Sequence, residues 1–139
     1  MSATEQLGYR FNVVPIAASQ GISLKGVVGV TFVTTGSDTF TLTCASTFAG
    51  SYATPGTIAT NVYKNAQTNG TAAWVLDNTL ISTNTIVTTV ATCFYISDVF
   101  LPDGKVYVKL TPSGGGLVTA ILGDLTVKRT PPNLAIVGA

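Results

Sequence analysis

Residues 93–129 read CFYISDVFLPDGKVYVKLTPSGGGLVTAILGDLTVKR, three runs rich in β-branched and aromatic side chains. Pro102-Asp103-Gly104 separates the first run from the second, and Pro112-Ser113-Gly114-Gly115-Gly116 separates the second from the third. Both breaks carry the residues that favour turns. In the middle run Val106, Val108 and Leu110 alternate with Lys105, Tyr107, Lys109 and Thr111. Successive side chains on a strand point to opposite faces, so one face of this run is apolar and the other is wet. The stretch predicts a three-strand antiparallel meander whose apolar face is covered by a second layer.

Upstream the same grammar continues. Residues 27–35 form a strand-like run, Gly36-Ser37-Asp38 turns, and in residues 39–45 Thr39, Thr41 and Thr43 alternate with Phe40, Leu42 and Cys44. These two runs predict a hairpin. Asn69-Gly70 favours a type I′ turn and predicts a second hairpin pairing residues 58–66 with 71–76. Residues 77–92, DNTLISTNTIVTTVAT, are dominated by Thr and Ile and almost lack helix formers, so they too read as strand. Short strands with turns at this spacing point to an all-β protein, an antiparallel β-sandwich, jelly-roll-like, over residues 29–129, with a closed barrel as the alternative.

The two ends differ. Residues 1–28 are interrupted by Gly8, Pro15, Gly21 and Gly26, yet Leu7, Tyr9, Phe11 and Val13 alternate as in an extended arm or an edge strand. In residues 130–139, Pro131-Pro132 stops any ladder and favours an extended C-terminal arm, in which Leu134, Ile136 and Val137 need an apolar surface to meet.

With 139 residues the chain suffices for one domain with its own core. Charged residues make up only 9%, well below the roughly 25% usual in soluble domains. A surface so poor in charge suits a large assembly. Seven scattered basic residues against six acidic ones lack the footprint that nucleic acid requires. The N-terminus has no apolar run long enough for a secretory leader, so Asn69-Gly70-Thr71 reads as a chance glycosylation pattern and synthesis in a cytoplasm is expected. No apolar run reaches the roughly 18 residues of a membrane span.

Chemistry is hard to find. There is no histidine, which removes the commonest general base and metal ligand. Asp38, Asp77, Asp98, Asp103 and Asp124 sit at turns or strand ends, where Asp is favoured for local hydrogen bonding. Cys44 and Cys93 read as small buried residues, with a bridge between them left open. Trp74 reads as a core or interface anchor. The expectation is a protein without catalytic activity, cofactor or metal.

The closing segment, LVTAILGDLTVKRTPPNL at residues 117–134, resembles the ends of small β-structured virion proteins of tailed bacteriophages. The matching positions are Thr119-Ala120-Ile121-Leu122, Asp124-Leu125, Val127 and Arg129 through Leu134, with LPDGKVYVKL before them similar in style. The resemblance implies a decoration or cement protein bound to the exterior of a virion capsid, with the major capsid protein as partner and a homo-oligomer, often a trimer, as its form. The partner-binding residues expected on this reading are Tyr9, Arg10, Phe11, Lys128, Arg129, Leu134, Ile136 and Val137. Two rival functions follow from the residues: a carbohydrate-binding surface or fibre module using Trp74, Tyr52, Tyr63 and Tyr107, and a tail-tube or head-tail joining protein forming rings.

Overall fold

The computed structural model describes residues 7–8, 10–56, 58, 60–80 and 84–123; the segment read as a C-terminal arm lies outside them. Among the described residues ten strands follow one another: β1 (Phe11–Val14), β2 (Ile22–Ser23), β3 (Gly29–Thr35), β4 (Asp38–Ala45), β5 (Thr60–Asn65), β6 (Val75–Leu80), β7 (Thr85–Thr88), β8 (Ala91–Ser97), β9 (Tyr107–Pro112) and β10 (Leu117–Gly123). A short 3-10 turn, Asp98–Phe100, follows β8.

Four antiparallel pairs are nested inside one another: β1 with β10, β2 with β9, β3 with β8 and β4 with β7. Alternate pairs fall in opposite sheets, giving the orders β1-β10-β3-β8 and β2-β9-β4-β7, which is a jelly-roll sandwich. The β5–β6 hairpin, inserted between β4 and β7, adds to β8 and widens the first sheet to six strands.

Two local expectations are corrected by this topology. The runs of the 93–129 stretch do not form a meander: β8 and β10 flank β3 in the six-stranded sheet, while β9 lies in the four-stranded sheet. Nor do β3 and β4 form a hairpin, because the turn at Gly36 carries the chain from one sheet to the other. There Gly36 adopts a φ of 97°, and its N–H donates to the Val90 carbonyl at 3.0 Å. An apolar/polar alternation says which side of a strand is buried, but either layer of a sandwich satisfies it. The third correction concerns the Asn69-Gly70 hairpin. It is centred where expected, but its ladder closes at Lys64 opposite Val75 and leaves a wide loop in place of a two-residue turn.

Inward-facing positions build the core. Phe32 and Phe94, cross-strand partners with ring centres 5.6 Å apart, meet Phe40, Leu42, Val108 and Leu110 from the other sheet; all are buried. At one end the sheets are also joined by hydroxyls. Thr34 of β3 and Thr92 of β8 meet Thr88 of β7 in a closed triangle of hydrogen bonds, the two to Thr88 each 3.1 Å long. All three side chains are buried, so each hydroxyl depends on the other two for its partners.

Candidate functional site: two outer faces and a shared corner

The ladder registers show what the six-stranded sheet presents outward. One row runs Thr119, Val33, Cys93, Tyr63, Leu76 across β10, β3, β8, β5 and β6. A second runs Val13, Ile121, Thr31, Tyr95, and a third runs Leu117, Thr35, Ala91, Asn65. Among the described residues these rows hold no charged side chain. Several large apolar members are open to solvent, Leu117 at 63%, Leu76 at 54% and Tyr63 at 37% exposure. Trp74, 45% exposed just before β6, shares a shallow depression on this face with Val33, Thr35 and Ala91. The ring of Tyr95 lies where a Cβ on Gly29 would be, so that glycine gives the aromatic its seat in the sheet.

The two margins of this sheet are guarded. The outermost strand β6 carries a bulge opposite the Val62–Tyr63 step, and Lys64 pairs with Asp77 at 3.3 Å beside it. At the other margin β1 is only four residues long. Bulges, charges and short length each discourage a further strand from adding to an edge.

The outer face of the four-stranded sheet is built differently. Ser23, Tyr107, Lys109 and Thr111 alternate with the core positions of β2 and β9, and Thr39, Thr41 and Thr43 do so on β4. The chain after β4 folds back beside it, with Cys44 and Ala53 exchanging hydrogen bonds of 2.9 and 3.0 Å. That loop lays two aromatic rings over the sheet. Phe48 packs edge-on to Tyr107, centres 6.2 Å apart, and the Tyr52 hydroxyl donates to the Phe48 carbonyl at 2.9 Å. Lys109 places its Nζ 3.9 Å from the Tyr52 ring centre, and Lys25 sits 5.5 Å from that of Tyr107. Over β9 this face is covered by its own chain and carries charge, while Val87 on β7, opposite Thr39, stands 68% exposed.

Asp38 locks the end of that sheet. Its carboxylate accepts hydrogen bonds from the Ser113 hydroxyl, and from the N–H groups of Ser113 at 3.1 Å, Gly114 at 2.9 Å, Gly116 at 2.8 Å and Thr39 at 2.7 Å. The Ser113 hydroxyl above all, with the amides of Gly116, Thr39 and Gly114, lowers its pKa to about 2. Glycine is required at 116 because a Cβ would run into Phe40 and Asp38. The Pro-Ser-Gly-Gly-Gly stretch is therefore shaped around a carboxylate of its own chain.

The sequence-predicted partner residues divide by position. Arg10 is exposed and Phe11 is half-buried at the start of β1, whereas Tyr9, Lys128, Arg129, Leu134, Ile136 and Val137 lie outside the described residues. Phe11 pairs with Gly123, the last residue of β10, so the segments before β1 and after β10 join the sandwich at one corner. Sequence reading treated the two ends separately. Only the register brings them together.

The four aromatics proposed for sugar stacking do not share a surface. Tyr63 belongs to the six-stranded sheet and Trp74 adjoins it, while Tyr107 is buried beneath Phe48 on the four-stranded sheet, where Tyr52 is engaged with Lys109. Cys44 faces the core and Cys93 lies half-buried on the opposite sheet's outer face; both are free thiols, and burial raises the pKa of each. Among the described residues no three His, Cys, Asp or Glu side chains converge to hold a metal ion, and no helix is long and apolar enough to cross a membrane. Comparison with protein-family models, curated proteins and solved structures gave no match.

Proposed function

We propose that this chain is a structural virion protein, a decoration or cement protein that binds the outer surface of a bacteriophage capsid as a homo-oligomer. The observation that supports it best is the pairing of Phe11 with Gly123, which sets the start of β1 beside the end of β10. Two segments rooted together act on one partner at once, and the second contact is made at high effective concentration. Arg10 and Phe11 at this corner, with Tyr9, Lys128, Arg129, Leu134, Ile136 and Val137 beyond it, are the residues assigned to the major capsid protein. Arg10 and Arg129 suit carboxylates on that partner, and the aliphatic tail suits an apolar groove. A protein that binds only the assembled lattice stabilises that lattice by mass action.

The test is sedimentation of the purified protein with empty shells of the virus that encodes it. Co-sedimentation at a fixed ratio to capsid protein is expected, lost when residues 1–10 and 131–139 are removed while the unfolding midpoint holds. Truncated protein that still travels with the shells at full ratio would refute the assignment.

A further inference from the structure

We infer that the outer face of the six-stranded sheet is a self-association surface, occupied by the same face of a second copy of this chain. The inference deepens the oligomeric part of the proposed function and rests on it, yet it is testable with no shell present.

Three observations converge. First, the described outward rows hold no charge, while the opposite outer face carries Lys109 and is overlaid along β9 by Phe48 and Tyr52 of its own chain, leaving Val87 as its one large apolar side chain in a strand more than half exposed among the described residues. A face without charge offers nothing to select an acidic or basic partner, and the surface that matches it without leaving a buried charge unpaired is another uncharged one. A copy of itself is such a surface. Second, the size is right. Six strands about 4.8 Å apart and roughly six residues long span on the order of 29 by 20 Å, about 600 Å² before side-chain relief is added. A stable pair needs roughly 800 Å² from each partner, which the relief of exposed Leu76, Trp74 and Leu117 brings within reach. Third, the margins are closed to strand addition by the β6 bulge, the Lys64–Asp77 pair and the brevity of β1. Association by this sheet is thereby directed from its edge to its face.

A self-matching face generates a twofold axis, because the same patch serves both copies. Cys93 lies at the centre of the Thr119-Val33-Cys93-Tyr63-Leu76 row and so comes close to that axis, where sheets stack about 10 Å apart. The trimer implied by resemblance to cement proteins would instead need this face to meet a different surface on its neighbour.

The experiment is light-scattering mass measurement on the full-length protein across a concentration series, together with the rate of Cys93 labelling by a maleimide. Cys44 is buried, so labelling of the folded protein reports Cys93. The expected mass is twice the 14.3 kDa of the chain, or an even multiple, with labelling slowed as concentration rises. Val33→Lys places a charge in the row and is expected to weaken the dimer by about 100-fold or more and restore fast labelling. Leu76→Lys, on the outermost strand where folding is least at risk, is expected to do the same. Thr43→Lys on the other sheet serves as the control and should leave the mass unchanged. A monomer at all concentrations, an odd copy number, or a dimer that survives Leu76→Lys with folding intact would overturn the inference.

Discussion

The two outer faces of this sandwich rest on one shared core, and both follow the same alternation of inward and outward side chains, yet they are finished in opposite ways. On the four-stranded side, the chain after β4 returns to cover Tyr107 with Phe48, and Lys25 and Lys109 sit over the rings of Tyr107 and Tyr52. On the six-stranded side, aromatic and aliphatic side chains stand in uncharged rows with Leu76, Trp74 and Leu117 open. The exposed rows, uncharged among the described residues, are what the proposed second copy would cover, whereas on the other side a loop of the same chain already overlies β9.

Four changes sharpen or break that contrast, beginning with the one that should erase both faces. Phe32→Ala removes a fully buried ring from between the sheets and is expected to cost about 3–5 kcal/mol, read as the shift of a urea unfolding curve. If the oligomer were lost without that shift, the core and the outer face would be coupled by something other than stability. Next comes the hydroxyl triangle. Thr92→Val leaves two buried hydroxyls short of a partner and should cost about 1–3 kcal/mol, whereas replacing Thr34, Thr88 and Thr92 together by valine should recover much of the loss. A triple variant worse than the sum of the singles would show that the hydroxyls are not merely satisfying one another.

Asp38 belongs to the capped side and is sensitive to acid. Its folded pKa, about 2, lies below the ordinary 3.8, so the carboxylate stabilises the fold above pH 3.8 and that contribution is lost as the pH falls through about 2. The thermal midpoint of the wild type should drop across this window more steeply than that of Asp38→Asn, which begins lower and has no such group to protonate. Parallel pH profiles would remove Asp38 from its role as clamp of the β9–β10 loop. The smallest effect is expected from Lys109→Ala, which strips the cation from the Tyr52 ring at a cost of about 0.5–1 kcal/mol. It should leave the mass in solution unchanged. A change of oligomer on losing Lys109 would place the interface on the wrong face of this comparison.

Much of the fold was legible before the tertiary structure. The runs at 27–35, 39–45 and 93–129 lie on β3, β4, β8, β9 and β10, and the inward set Phe40, Leu42 and Cys44 is buried as its alternation requires. The Asn69-Gly70 hairpin was also correctly centred, although its ladder ends at Lys64 and Val75 and the Asn65 side-chain amide, donating to the Ala72 carbonyl at 3.0 Å, ties the wider loop across its neck. The candidate site was far less visible. Phe11 could be named from the alternation near the N-terminus and Arg10 for its charge, but the place of Phe11 beside the end of β10 depends on a ladder between residues more than a hundred positions apart.

The amino-acid sequence by itself determined which segments become strands and which side of each is apolar, because period-two alternation and turn chemistry act over a few residues. Only the tertiary structure decided which sheet each strand joined. Both layers of a sandwich bury an apolar side equally well, and the choice lies in long-range pairing and in turns, such as Gly36 and the Asp38-clamped loop, that cross between layers. From that choice came the uncharged outer face, for the residues that compose it are dispersed along the chain from Val13 to Ile121 and form one surface only when six strands lie side by side.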